Sequence, residues 1–505
     1  MHVIIQAGGK GTRLESLTRN KPKCLVPVKN KPLIFWALEA FKDYKVHVIC
    51  DYQKEPLKKY LGVYATEFDI TITDADGKGT ISGIRKVLDQ YVPEAEPVLI
   101  VWCDLLFEKD FELPKFVLED SQKFNWVGLS SSFPCRWSFI IGEFVHQASS
   151  SQGVAGVFLL KNKEELEDLP REGAFVPWVQ SKKIQFKEFY LENVVEVGTL
   201  SAFTAQNGSI CRPFNEVIFN KETVTKRAVT EYGKNISNFE IDWYKKVKEL
   251  GFDKVPKIFS YQPLVMERIQ GKNIWEFNCL TKSEKIEILH LIISTIKQLH
   301  DLGGEVPANL NDLEETYITK TFSRLGKIEE LVPFAKEEYI KINGKYYKNI
   351  FYDKAALKST LSDFYPSSFR LIHGDVTFSN MLYDRVKRNL FLIDPRGYFG
   401  KTKFYGDPDY DWAKLYYSIV GNYDQFNRKN FALDIQTRGV EIEILSNNWS
   451  DMENYFFDSL PGVSRRKIKA LHAVIWLSLT TYAWEDYDSI CGAFYKGIVE
   501  SSDFL

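Results

Sequence analysis

The chain has 505 residues, 45% hydrophobic and 26% charged, with 65 basic against 67 acidic side chains and a formal net charge of -2. This length exceeds what one hydrophobic core serves and predicts two or three domains, while the composition excludes a disordered or a membrane-embedded chain. The charge balance excludes a basic face for nucleic acid, so anionic ligands must be met by local clusters. No charged segment followed by an apolar stretch and cleavage site is found, and no apolar run of bilayer length, so a cytoplasmic protein without membrane insertion is expected. Cys24, Cys50, Cys103, Cys135, Cys211, Cys279 and Cys491 are scattered without CxxC or His/Cys ligand spacing and read as free buried thiols in a reducing compartment.

In chain order, Met1 to Ala7 reads as a buried strand (Val3, Ile4, Ile5) running into a glycine turn. Pro32 to Phe41 has helical spacing, Val46 to Cys50 is a strand, Thr80 to Leu88 is helical, and Val98 to Trp102 is a strand. Strands alternating with helices predict an α/β, doubly wound Rossmann-like domain over residues 1–205, with its ligands at the carboxyl ends of the strands. The polar stretch Thr204 to Arg212 marks the boundary. From Phe214 a hairpin is expected, Glu216 to Phe219 and Thr223 to Ala228 around Asn220, Lys221 and Glu222. A helix from Asn238 to Leu250 follows, then a strand from Pro263 to Ile269 and long helical periods, beginning with Ser283 to Leu302 and returning from Trp412 to the C-terminus. Residues 206–505 are therefore expected to form a two-lobed α+β domain, with a small lobe at about 206–270 and a helical large lobe at about 271–505.

Residues 6–28 read QAGGKGTRLESLTRNKPKCLVPV. Gly8, Gly9 and Gly11 let backbone N–H groups approach an anion without a Cβ in the way, and Arg13 and Lys23 supply the charge a triphosphate requires. The run, continued through Lys31, Pro32, Leu33 and Ile34, resembles the signature of the sugar-nucleotide pyrophosphorylase superfamily. The resemblance implies that Gly8, Gly9, Gly11 and Thr12 bind a nucleoside triphosphate, and that Arg13 and Lys23 stabilise charge on the reacting phosphates. It further implies that Gly79 and Thr80 form a base-recognition turn, that Asp104 and Glu196 hold Mg²⁺, and that Ala155, Gly156 and Val157 stand on the acceptor side. An acceptor phosphate attacking the α-phosphorus brings two anions together, which Mg²⁺, Lys and Arg offset. Cys103 replaces the family's glycine before the aspartate, no Glu-Lys-Pro segment is present, and Trp126 to Gln152 offers only Arg136 as a basic residue. The reaction type is thus better specified than the acceptor.

Residues 371–384 read LIHGDVTFSNMLYD, and LFLIDPRG ends at Gly397. Asp375 and Asn380 five apart, with Asp394 after the next apolar strand, place a base beside two metal-binding groups, as phosphoryl transfer from ATP to a hydroxyl requires. The pattern resembles the aminoglycoside phosphotransferase and choline kinase superfamily, within a protein-kinase-like fold. The resemblance implies that Asp375 is the catalytic base and that Asn380 and Asp394 hold Mg²⁺. It also makes Lys226 the ATP-phosphate lysine, Glu240 its ion-pair partner, Met266 and Glu267, with Arg268, the adenine hinge, and Asp411 a brace for the catalytic loop. A GxGxxG loop is lacking; only Asn207 and Gly208 precede the first strand. Trp412, Tyr416, Tyr417, Trp476 and Trp484 read as core packing rather than a cage for a quaternary amine.

Together these readings predict a bifunctional enzyme. ATP phosphorylates a small hydroxyl compound, and CTP, GTP, UTP or dTTP then couples to that phosphate with release of pyrophosphate, giving an NDP-activated donor for surface polysaccharide synthesis. A sugar 1-phosphate is favoured by the GT and EVGT segments; choline or ethanolamine is the alternative, favoured by the kinase resemblance and the missing sugar-phosphate lysine. A regulatory nucleotide-binding protein with one inactive domain is disfavoured because Lys23, Asp104 and Asp375 are all present. A protein kinase is disfavoured because HGD replaces HRD and no APE segment occurs. Oligomeric state, including a homo-oligomer, is left open.

Overall fold

A computed structural model describes residues 1–207 and 215–502. The chain divides into two compact units, Met1–Ile210 with Glu485–Tyr487, and Cys211–Trp484 with Asp488–Leu505. Gly208, Cys211 and Phe214, and the part of the polar boundary stretch from 208 onward, lie outside the described residues.

In the first unit the strand His2–Gln6 is central, paired in parallel with Lys45–Cys50 on one side and Val98–Trp102 on the other, and Ile70–Asp74 extends the parallel set. Val3, Ile4, Ile5 and Val98 to Val101 are wholly buried, as strands covered on both faces must be. Helices Leu33–Ala40, Lys54–Tyr64 and Ile84–Tyr91 accompany these strands, and this half is Rossmann-like. Beyond Val98–Trp102 the sheet turns antiparallel: Gly153–Leu160 pairs with it, then with Trp126–Ser130, and Lys187–Tyr190 runs parallel to the latter. The nine-stranded sheet is thus mixed: the parallel Rossmann-like half carries an antiparallel extension that the sequence pattern did not distinguish. Gly153–Leu160 is buried at every position, and a strand buried on both faces reads as the same apolar run in either direction.

The helix expected from Thr80 begins only at Ile84. Gly79 and Gly83 have φ of 89° and 81°, left-handed values that hold the intervening residues in turns. The carboxyl ends of the parallel strands therefore bring Gln6, Asp51, Ala75 and Asp104 to one rim, where open α/β sheets hold ligands.

The second unit opens with an antiparallel sheet in the order Asn215–Phe219, Thr223–Ala228, Leu264–Glu267, Ile258–Tyr261, so the hairpin lies where its pattern put it. The next helix, Glu231–Glu249, starts seven residues before the expected Asn238. The Thr230 side chain accepts the Gly233 N–H and Glu231 stands in the first turn, a capped and charge-complemented start that Gly233 disguises in the sequence. Helix Lys282–Leu302 is closed at its start by a Thr281/Glu284 capping box.

Residues 271–505, expected to be helical, are not all so. A four-stranded sheet joins Tyr339–Ile342, Lys345–Lys348, Phe431–Gln436 and Gly439–Ile444. Its signal was the period-two alternation of Phe431, Leu433, Ile435 and then Val440, Ile442, Ile444 across a Gly439 turn. Trp412, Tyr416, Tyr417 and Trp476 are buried, with Tyr417 edge-on to Trp476 at 4.7 Å between ring centres; they are core residues. Among the described cysteines Cys279 is exposed, contrary to the expectation of burial. No described helix is long and apolar enough to cross a membrane.

Candidate functional site

At the rim of the first unit lies a cleft of about 310 Å³ floored by Gly8, Gly9, Lys23, Thr80 and Asp104. Gly8 packs so closely on Asp51 that a Cβ there would lie 2.5 Å from the aspartate's Cβ, whereas a Cβ on Gly9 would meet nothing; the loop is tight behind and open in front. Gly11 turns the chain at φ 67°, and its Cβ position falls 2.9 Å from that of Lys23, so the glycine allows the lysine to pass. The Lys23 backbone N–H donates to the Gly9 carbonyl at 3.3 Å. Its Nζ reaches Asp104 Oδ2 at 2.7 Å. Thr12 is exposed and is not part of the cleft lining.

The far wall is built by residues that motif reading missed. Gln6 donates its side-chain amide to the Thr80 carbonyl at 2.9 Å and to the Ser82 carbonyl at 3.4 Å, and the Phe175 N–H donates to Thr80 Oγ1 at 2.8 Å. A Cβ on Gly79 would lie 2.2 Å from the Gly173 carbonyl. The turn at Gly79 and Thr80 is thus clamped between the first strand and residues 173–175. A polar residue closing an otherwise apolar strand, as Gln6 does, was the available signal.

A second cleft of about 470 Å³ shares Thr80, Trp102 and Asp104 with the first and adds Arg13, Arg136 and Glu196 to an aromatic wall. Arg13 Nη2 donates to Glu196 Oε1 at 3.2 Å. Burial, and after it the Asp104 charge, push the Glu196 carboxyl above its ordinary value. Asp104 Oδ1 and the Trp102 indole nitrogen are buried without a partner. Two facing carboxylates with an unpaired oxygen fit a divalent cation. No group of three or more His, Cys, Asp or Glu side chains suited to a metal occurs among the described residues. Mg²⁺ suits such a site, because it keeps waters and takes substrate phosphate oxygens as ligands.

Gly156 underlies this second cleft, with φ 88° and a Cβ position 2.2 Å from the Trp102 ring. Gly156→Ala is expected to destabilise the protein by at least about 2 kcal/mol, from left-handed strain plus overpacking, as denaturant unfolding will register.

In the second unit, Lys226 Nζ contacts Glu240 Oε2 at 2.7 Å and Asp394 Oδ1 at 2.9 Å. Burial opposes the lysine's charge, but Asp394 and Glu240 together hold its pKa above the ordinary value. Asn380 Nδ2 donates to Asp375 Oδ2 at 2.8 Å, and Lys414 reaches Asp375 Oδ1 at 3.0 Å. Lys226, Glu240 and Asp394 thus form one polar group and Asp375, Asn380 and Lys414 another, and between them the Ile393 N–H donates to the Asn380 carbonyl at 3.0 Å. Met266 is buried in the sheet and Glu267 exposed at its end.

The loop carrying Asp375 is held from behind. Burial keeps the His373 imidazole below its ordinary pKa. In the neutral ring Nε2–H donates to the Ile393 carbonyl at 3.0 Å, and Nδ1 accepts the Asp375 N–H at 3.3 Å. The wholly buried Asp411 carboxylate accepts the N–H groups of His373 and Gly374 at 2.9 and 2.7 Å and faces His300 Nε2 at 3.1 Å. Asp411→Ala leaves those donors buried and unpaired, so it is expected to cost roughly 3 kcal/mol or more; thermal unfolding of the full chain is the check.

Residues 3–111 match the MobA-like NTP transferase domain family. Over 116 residues the chain is 30% identical to the CTP:phosphoglutamine cytidylyltransferase of Campylobacter jejuni, covering 22% of this chain and 46% of that protein. It is 31% identical over 111 residues to the glucose-1-phosphate thymidylyltransferase of Streptomyces griseus, covering 22% and 27% respectively. The chain therefore spans less than half the length of these relatives. A solved structure, HddC from Yersinia pseudotuberculosis, is similar at 21% identity and a TM-score of 0.35, over 41% of this chain and 97% of that one. The N-terminal region is accordingly related to nucleotidyltransferases.

Proposed function

We propose that the first unit is a nucleotidyltransferase that joins a nucleoside triphosphate to a phosphate monoester, and that the second unit makes the monoester by transferring the γ-phosphoryl group of ATP to a hydroxyl. The observation carrying the first half is the position of Asp104 where two clefts meet, with Lys23 bonded to it and Glu196 and Arg13 on the other side. The glycine loop and Lys23 would take the triphosphate in the first cleft, with the clamped Gly79 and Thr80 turn beside the base. The acceptor phosphate would lie in the second, within reach of Arg13. Its oxygen attacks the α-phosphorus, the bond to the bridging α,β oxygen breaks, and pyrophosphate leaves. Asp104 and Glu196 would hold Mg²⁺, which would neutralise charge on the phosphates.

In the second unit, Asp375 is suited to accept the proton of the attacking hydroxyl, and Lys226, held by Glu240, to bind ATP phosphates. Asn380 and Asp394 are the residues suited to Mg²⁺, and Met266 and Glu267 are the residues the hinge reading assigns to adenine. The base of the first nucleotide could be that of CTP, GTP, UTP or dTTP. A sugar phosphate is the first acceptor to test and an amino-alcohol phosphate the second. An NDP-linked product is the form in which polymerising transferases take up a building block, which supports a role in surface polysaccharide synthesis.

The test is pyrophosphate release from each of the four nucleotides with a panel of sugar 1-phosphates, phosphocholine and phosphoethanolamine, and ADP formation from ATP with the parent alcohols. Release of pyrophosphate in one nucleotide–phosphate combination is expected. None in any combination, from folded protein with Mg²⁺ present, defeats the reading of the first unit.

A further inference from the structure

Around Asp375 the second unit gathers positive charge that its carboxylates do not offset. Lys320 and Arg324 are four residues apart at the start of the helix Lys320–Ile328, a spacing that puts both on one face. Arg396 lies against the catalytic loop: its N–H donates to the His373 carbonyl at 2.9 Å, and a Cβ on Gly374 would stand 3.0 Å from its own. Lys414 comes from the helix Pro408–Ile419 and touches Asp375 itself.

Tyrosines hold the basic side chains in place. Arg396 Nη1 donates to Tyr410 Oη at 3.2 Å, Lys414 Nζ is 5.9 Å from the centre of that ring, and the Arg324 guanidinium is 4.6 Å from that of Tyr482. Nearby carboxylates are engaged elsewhere: Asp407 and Asp409 each hold Lys467 at 2.8 Å, and Asp394 holds Lys226. The Lys320 side chain has no ion pair or hydrogen bond among the described residues. Burial, then Arg396, Arg324 and Lys414, push its ammonium down to about 6, with Glu315 opposing more weakly. Crowding half-buried like charges costs free energy, and a surface needed only for packing has no use for it. A bound anion removes the cost.

We propose that the hydroxyl compound phosphorylated in the second unit bears a carboxylate or phosphate group, bound by Lys320, Arg324 and Arg396, which aims its hydroxyl at Asp375. This rests on the phosphotransfer reading of that unit and refines its substrate class; it is opposed to a quaternary or primary amine as acceptor. In the reaction the hydroxyl oxygen bonds to the γ-phosphorus, the bond to the β,γ-bridging oxygen breaks, ADP leaves, and the hydroxyl proton passes to Asp375.

The experiment follows ADP formation by the full chain with Mg²⁺-ATP and matched acceptors: glycerol against glycerate and glycerol 3-phosphate, glucose against glucuronate and glucose 6-phosphate, and ethanolamine and choline. An anionic member is expected to exceed its neutral counterpart in kcat/KM by at least about tenfold, since charge pairing in a half-buried site discriminates strongly; which member wins separates carboxylate from phosphate. Lys320→Met and Arg324→Met are each expected to raise KM for that acceptor by about tenfold or more while kcat changes little, a split that a loss of folding would not produce. Faster turnover of glycerol, glucose, ethanolamine or choline would overturn the anionic acceptor but leave the phosphotransfer reading standing. ADP formation with none of the acceptors would sink both.

Discussion

Lys23→Ala is expected to slow pyrophosphate release by about two orders of magnitude or more, because removing a preorganised charge from a phosphoryl-transfer site costs several kcal/mol. Lys23 is nearly buried, its Nζ is 2.7 Å from Asp104 Oδ2, and its backbone is tied to the glycine loop at Gly9. Without it Asp104 and Glu196 lose one of the two cations whose charges act on Glu196, so the loss should appear in kcat as well as in KM for the nucleotide. Asp104→Asn should be as severe while leaving ADP formation by the second unit intact. Steady-state pyrophosphate assays at saturating nucleotide, with an unfolding curve for each variant, are the check. An unchanged kcat in Lys23→Ala would remove that residue from the catalytic machinery.

Asp375→Asn is expected to reduce ATP-dependent phosphorylation by roughly 10²–10⁴-fold, the range a positioned general base contributes. The amide is isosteric and keeps one acceptor oxygen where the carboxylate offers one to Asn380 Nδ2 and one to Lys414; the Asn380 Nδ2 bond to the Asp375 backbone carbonyl at 2.8 Å is untouched, so the loop should keep its shape. Pyrophosphate release from an independently made acceptor phosphate should then persist. If Asp375→Asn loses both activities while folded, the two sites are not separate. If the first unit ignores the phosphate made by the second but takes an unrelated one, the two reactions do not run in series.

The local motifs were legible in the sequence because each is a short-range necessity. A strand running from Gln6 into Gly8 and Gly9, a strand ending just before Asp104, and Asp375 with Asn380 on one loop are each written within a few residues. The hairpin Asn215–Phe219 and Thr223–Ala228 was legible for the same reason, since alternation and a three-residue turn are local. The start of the helix at Glu231 was not, because a Thr cap outweighs a glycine whose propensity argues against a helix.

What only the tertiary structure decided lies in the longer separations. Whether the apolar run Gly153–Leu160 joins the sheet parallel or antiparallel depends on its neighbours, since burial on both faces erases the alternation that would orient it. Thr80, Trp102 and Asp104 become the shared wall of two clefts only once the rim of the sheet is assembled. Lys320 and Arg324 sit in an ordinary-looking amphipathic helix, and nothing local distinguishes them from solvated charges. Their meaning arises when folding sets that helix beside Arg396 and Lys414, because the cost of like charges depends on distance through space and on burial, neither of which is written in the spacing along the chain.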